Sequence, residues 1–124
     1  MRKLTAAEVT FEVTIEAEEM PVRRGHFASG DAEQDKADED AIIRRLDRGE
    51  VEAWCGVVVT ATWEAPDGTE YMGRDSLWGC SLDDSYTAEV VAEHHGMREQ
   101  ALDDLNQVIA CSIGKAKRLE AALS

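Results

Sequence analysis

The sequence predicts a single α+β domain over residues 1–124, ordered β-α-β-β-α-α, with an antiparallel sheet of about three strands and helices on one face. Three observations support this fold class. Polar and apolar residues alternate near the start, two strand-like runs flank a turn in the middle, and apolar residues recur at helical spacing near the end. A period of two indicates strands and a spacing of three to four indicates helices, so the chain combines both.

The first strand is predicted from Glu8 to Glu18. Glutamate and threonine there alternate without interruption against the apolar residues Val9, Phe11, Val13, Ile15 and Ala17. One face is therefore expected in the core, and the other carries a row of carboxylates. Such a row is either an ordinary charged edge that discourages aggregation or an imitation of successive phosphates on a nucleic-acid strand.

A mobile loop is predicted at about residues 19–36, because prolines and glycines stand there among polar residues. Asp35 is predicted to cap a helix that continues to Arg48 and ends at Gly49. Its first turn carries acids, including Asp38, and its last turn carries arginines, as the helix dipole favours. The entry of this helix is the most acidic part of the chain.

A β-hairpin is predicted in the middle of the chain. Residues 57–64 alternate as a strand, and residues 65–68, Ala-Pro-Asp-Gly, have the composition of a hairpin turn. The alternation assigns Trp63 to the core, whereas the side of the sheet taken by Trp54 is left open. Tryptophans are in general expected to be core anchors, and exposed ones would be interface hot spots.

Two helices are predicted after the hairpin. The first is expected to be capped between Ser81 and Ser85 and to stop at Gly96. The second begins at about Met97 and packs on the sheet, because its apolar residues recur at helical spacing. Gly114 is either a close-packing point in this helix or the residue that divides it.

The charge of the chain restricts its partners. There are 26 acidic and 13 basic residues, giving a formal net charge of −13. Such a surface repels phosphates, so direct nucleic-acid binding is not expected, and a cationic partner is favoured. The other interpretation is that the acids only maintain solubility. With no apolar run long enough to enter a membrane, the sequence predicts a soluble, cytoplasmic protein without membrane contact.

No catalytic, cofactor or metal site is predicted. Cys55, Cys80 and Cys111 are odd in number and widely spaced, which favours reduced thiols over a disulfide framework. His94 and His95 are adjacent and therefore cannot share a metal as an i, i+4 pair does. The sequence thus favours a binding protein over an enzyme.

In size, acidity, single-domain organisation and lack of a catalytic motif, the chain resembles the small acidic anti-defence proteins of phages and plasmids, such as anti-CRISPR and anti-restriction inhibitors. The resemblance is one of type and implies an inhibitor that binds a basic groove of a host protein or protein–RNA complex. We place the partner-binding surface at Glu12, Glu16, Asp35, Asp38, Glu39 and Asp40. The alternative is a housekeeping or structural interaction module, compatible with a homodimer, that binds through the hairpin aromatics.

Overall fold

The structure is a computed structural model and describes residues 3–19, 22 and 32–123. Its strands and helices are β1 (Thr10–Ala17), α1 (Ala32–Asp47), β2 (Cys55–Glu64), β3 (Glu70–Cys80), α2 (Ala88–His94) and α3 (Met97–Leu123). The strands form one antiparallel sheet in the order β1-β2-β3, so β2 is central. The predicted α+β class and the predicted order of elements are confirmed.

The chain folds into two compact units. We call them the α3 unit (Met1–Val13, Val59–Asp75 and Ala92–Ser124) and the α1 unit (Thr14–Val58 and Ser76–Val91). Each strand of the sheet contributes residues to both units.

In the α3 unit, helix α3 packs directly on strand β3 at Gly73. A Cβ atom on this glycine would overlap the backbone atoms of Leu105 and Ala101, so only a hydrogen atom fits there. The backbone N–H of Arg74 donates a hydrogen bond of 2.8 Å to the carboxylate of Asp104. The predicted packing of the last helix on the sheet is confirmed at this contact.

Along one face of α3, every fourth residue from Met97 to Ile109 is buried. Its fully or nearly fully buried side chains are Met97, Ala101, Leu105 and Ile109. Between two of them, the side chain of Asn106 accepts from the backbone N–H of Leu4 at 2.8 Å and donates to the Leu4 carbonyl at 3.2 Å. This reciprocal pair fastens the N-terminal segment to the helix.

The hairpin turn has the predicted chemistry. The N–H of Ala65 donates to the carbonyl of Thr69 at 2.8 Å, and the N–H of Gly68 donates to the Ala65 carbonyl at 2.9 Å. Gly68 has a φ of 88°, which only glycine adopts without strain. A carboxylate oxygen of Asp67 accepts from the N–H of Thr69 at 2.9 Å, so the side chain braces the turn.

In the α1 unit, helix α1 contacts the 3₁₀ turn Val51–Ala53 that leads into β2. The buried residues of this cluster are Val22, Ile42, Ala53 and Trp54, with Ile43 and Leu46 packed against them. Arg45 reaches from the helix to the carbonyl oxygen of Leu82 at 2.6 Å. Ile42 is therefore the buried apolar residue of α1, and Trp54 belongs to the core.

The predicted start of helix α1 is wrong. It begins at Ala32, so Asp35 lies in the first turn and is not the cap, and residues 32–36 are helical rather than part of the predicted loop. The physical reason is that Glu33 and Gln34 are good helix formers, and helix dipoles tolerate acids in the first turn. Of the predicted loop, residues 20, 21 and 23–31 lie outside the described residues. Gly49, with a φ of 84°, ends the helix as expected.

The predicted cap of the first of the later helices is also wrong, and of the two alternatives for Gly114 the structure excludes the break. Helix α2 begins at Ala88 because Asp83 first accepts the backbone N–H groups of Ser85 and Tyr86, at 2.8 and 2.9 Å, and holds those residues in a turn. Thr87 then caps the helix through a 3.3 Å bond from the N–H of Val90. Helix α3 is continuous through Gly114, since one interior glycine costs only about 1 kcal/mol.

Candidate partner-binding surface

Strand β3 presents an exposed tryptophan that lies over a glycine of β2. A Cβ atom on Gly56 would overlap three ring atoms of Trp78, so the indole covers the backbone of the neighbouring strand. Despite this contact with Gly56, the side chain of Trp78 remains 46% exposed. The pairing of Ala65 with Thr69 sets the hairpin register and brings Gly56 opposite Trp78. Because Gly56 has no side chain, the large side chain of Trp78 can lie over the backbone of β2.

Carboxylates lie on one side of this indole. A surface depression in the α1 unit is lined by Glu16, Ala17, Glu18, Glu19 and Trp78, which we call the Trp78 surface. A carboxylate oxygen of Glu18 accepts the backbone N–H of Gly79 at 3.0 Å, and the N–H of Glu18 donates to the Trp54 carbonyl at 3.5 Å. Glu18 is therefore tied to the same strand end that carries the tryptophan. The result is an aromatic face with an anionic rim.

The two predicted acids of the first strand are exposed. Glu12 and Glu16 both stand on the polar side of β1, as the alternation indicates. Glu16 belongs to the Trp78 surface, whereas Glu12 belongs to the α3 unit. Of the two, only Glu16 is therefore placed beside an exposed aromatic side chain within its own unit.

The four predicted acids of α1 do not form one stripe. Asp35, Asp38 and Glu39 stand at i, i+3 and i+4, so they share a helix face with the buried Ile42. Asp40 follows Glu39 by one residue and is rotated from it by about 100°. All four acids are half-buried, and Gln34 donates a bond of 2.9 Å to Asp38. Asp35, Glu39 and Asp40 also have interactions within the protein.

In a second acidic depression of the α1 unit, charged side chains pair with one another. It is lined by Arg45, Glu50, Glu52, Asp83 and Asp84. Glu50 lies 2.8 Å from Arg48 and 3.6 Å from Arg45, and the hydrogen bond from Arg48 lowers the pKa of Glu50. The hydrogen bond from the Ser85 hydroxyl lowers the pKa of Asp83 in the same way. Glu16 and Glu18 of the Trp78 surface also have interactions within the protein, but this surface adds an exposed aromatic side chain to its carboxylates and is therefore the better candidate.

The three tryptophans have three different environments. Trp54 is 4% exposed and belongs to the α1 unit core. Trp63, predicted in the core, is only half-buried and stacks on Tyr71 with ring centroids 5.9 Å apart. Trp78 is the functional candidate that the general expectation of buried tryptophans missed. Its exposure depends on the hairpin register, because the pairing of Ala65 with Thr69 puts Gly56 opposite Trp78.

Comparison with known proteins adds no family to this picture. No protein-family model, curated protein or solved structure matches the chain. Its function is therefore inferred from the geometry and charge of the chain itself. None of the helices in the described part combines the length and the apolar character needed to cross a membrane.

The two buried thiols have raised pKa values, whereas the thiol of an activated nucleophile has a lowered one. Cys55 and Cys80 are buried and free, and their sulfurs lie 3.7 and 3.4 Å from the carbonyl oxygens of Glu52 and Leu77. Burial raises the pKa of Cys55 to about 11, and the neighbouring Cys80 adds to the effect. Burial also raises the pKa of Cys80. Reactive thiols have lowered values, so neither group is poised for attack.

Metal ligands are also dispersed. Within residues 3–19, 22 and 32–123, no group of three or more His, Cys, Asp or Glu side chains is arranged to hold a metal ion. The rings of His94 and His95 meet edge to face with centroids 4.9 Å apart, at the end of α2. The two rings therefore pack against each other, and neither belongs to a cluster of metal ligands among the described residues.

Thiol reactivity is expected to separate the cysteines of the native protein. A disulfide reagent at about pH 8 should react quickly with the exposed Cys111 and slowly with the two buried thiols. Burial raises the pKa of both, and at a pKa of about 11 only about a thousandth of Cys55 is then ionised. The absorbance time course measures this. Cys111→Ser should remove the fast phase, and denatured wild-type protein should show three fast thiols. A fast phase that survives in Cys111→Ser would contradict the assignment.

Proposed function

We propose that this protein is a small acidic, non-enzymatic binding protein whose partner presents a basic surface. The observation that carries the proposal is the half-exposed Trp78 among Glu16, Glu18 and Glu19. Exposed tryptophans are frequent anchors of protein interfaces, and carboxylates around one favour a cationic partner. The formal net charge of −13 works in the same direction over long range, because it attracts basic proteins and repels nucleic acids.

The finer proposal is an anti-defence inhibitor of the kind that phages and plasmids encode. Basic surfaces that bind nucleic acid are natural targets for an acidic protein, and occupying such a groove blocks it. Glu12 and Glu16 are the acids of β1 assigned to charge imitation, and each is exposed. The acids of α1 contribute less surface, because they are half-buried.

A second candidate is an interaction module that binds through the hairpin aromatics. The exposure of Trp78 favours it, because this residue belongs to the hairpin strand β3. The two candidates differ in how salt affects them. Ionic binding through exposed carboxylates is screened as the Debye length falls, whereas burial of an aromatic side chain is largely insensitive to salt.

We expect capture of a basic, nucleic-acid-binding protein or complex from lysate of the native host at low salt and its release at high salt. At about 50 mM salt the partner should be retained, and at about 500 mM it should be lost, because surface charges are then screened within about 4 Å. Mass spectrometry identifies what is bound. Added duplex DNA or RNA should compete with the protein for the captured partner.

Two double variants, each of which removes two negative charges, test which glutamates bind the partner. Glu12→Gln with Glu16→Gln should weaken capture, whereas Glu64→Gln with Glu70→Gln, at the turn end of the hairpin, should leave most of it. All four residues are exposed, so the fold should tolerate both pairs. A partner that resists high salt would contradict charge imitation and favour the aromatic module. Equal loss in both variants would contradict a specific role for Glu12 and Glu16.

A further inference from the structure

We infer that the Trp78 surface binds an arginine side chain of the basic partner, with the guanidinium stacked on the indole and paired to the glutamate rim. This inference rests on the proposed function and gives it a specific point of recognition. It requires an open aromatic face, negative charge around that face, and a chemical reason for arginine over other side chains.

The aromatic face is held in place by the sheet. One side of the indole lies against Gly56, where a Cβ atom would overlap the ring, and the residue keeps 46% of its exposure. The ring is thus supported from below by the backbone of the central strand. A positioned ring costs less side-chain entropy on binding than one that must first be ordered.

The rim supplies negative charge on the side of the ring next to β1. Glu16 lies near the end of that strand, and Glu18 and Glu19 follow it directly. Glu18 already accepts the Gly79 N–H at 3.0 Å, which fixes its position. A carboxylate has room for further hydrogen bonds after accepting one. An indole face is itself the negative end of a quadrupole, so ring and rim attract the same ligand, a cation.

Arginine fits this combination better than the other candidates. An apolar side chain on Trp78 would desolvate the glutamates without offering them a hydrogen bond or an opposite charge. A lysine ammonium is compact and strongly hydrated, whereas a guanidinium is planar, weakly hydrated and able to stack while donating paired hydrogen bonds to a carboxylate. The occupant is therefore an arginine presented by a basic protein.

Hexa-arginine and hexalysine peptides test the inference by calorimetric titration at about 50 mM salt. They carry the same charge, so general attraction to an acidic protein is common to both. We expect the wild-type protein to bind hexa-arginine about five- to tenfold more tightly than hexalysine, in line with the strength of a partly exposed cation–π contact. Trp78→Phe should keep most of this preference, and Trp78→Leu should abolish it.

Leucine still covers Gly56 with apolar atoms but has no aromatic face, so circular dichroism should report a folded Trp78→Leu protein. Glu16→Gln with Glu19→Gln provides an independent test, because it leaves the tryptophan unchanged. This pair should weaken hexa-arginine binding several-fold more than the charge-matched Glu64→Gln with Glu70→Gln. Both pairs remove equal charge from exposed positions.

Two outcomes would overturn the inference. Equal affinity of the wild-type protein for the two peptides would exclude a guanidinium-specific site, and a preference that survives in Trp78→Leu would place that site elsewhere. Either result would leave the proposed function standing if lysate capture is still lost at high salt. Failure of the proposed function looks different, because then no basic partner is captured in a salt-dependent manner.

Discussion

Gly73→Ala is expected to lower the free energy of unfolding by about 3 kcal/mol or more. The added methyl group would overlap the backbone of Leu105 and Ala101 in α3, and backbone atoms of a packed helix cannot rotate away as a side-chain end can. Strand and helix would have to separate, which opens the buried row formed by Met97, Leu105 and Ile109. Urea denaturation followed by circular dichroism measures the loss.

Gly68→Ala is the matched control, because it adds the same methyl group where nothing lies within 4 Å. Its φ of 88° still strains an alanine, so a cost of about 1 kcal/mol is expected. The difference between the two variants therefore isolates the contact with α3. If both proteins unfold at the same urea concentration, the close approach of α3 to β3 at Gly73 is wrong.

The elements with local signals were predictable from sequence. Strand β1 forms where the alternation predicts it, but its apolar face is only half-buried at Phe11 and Val13 and is exposed at Ile15 and Ala17. The hairpin follows from a turn in which Gly68 and Asp67 have the required chemistry. Such patterns depend on residues a few positions apart, which periodicity and turn chemistry capture. The buried spacing of four in α3 was readable for the same reason.

Helix starts were less predictable because several residues compete for the same role. Asp35 and the segment from Ser81 to Ser85 both contain good capping residues, yet α1 starts earlier and α2 later than these suggest. The deciding factor for α2 is the turn that Asp83 forms with Ser85 and Tyr86. Asp, Asn, Ser and Thr stabilise turns and helix caps alike, so composition cannot separate the two.

The candidate surface was only partly predictable. The exposure of Glu12 and Glu16 follows from alternation, whereas the importance of Trp78 depends on a glycine 22 positions earlier in the chain. The exposure of a large aromatic side chain depends on its neighbours on the adjacent strand, and the register of the two strands determines which residues those are. The half-buried state of Asp38 likewise follows from packing of α1 and not from its charge.

Trp54→Ala is expected to cost about 3–5 kcal/mol, a large part of the stability of a small domain. Trp54 is 4% exposed and packs with Val22, Ile42 and Ala53 in the α1 unit. Its removal leaves a cavity that α1 and the 3₁₀ turn Val51–Ala53 cannot fill without moving. Thermal and urea denaturation should both show the loss.

Trp78→Ala is the informative comparison, because it removes the same side chain from a position that is 46% exposed. Only about half of the side chain is buried there and no enclosed cavity forms, so about 2 kcal/mol is expected. The two variants should also differ in function, since Trp54→Ala should bind basic peptides normally wherever it remains folded, and Trp78→Ala should remain folded and lose the arginine preference. Equal destabilisation by the two substitutions would mean that Trp78 serves the core, and the surface proposed for partner recognition would lose its anchor.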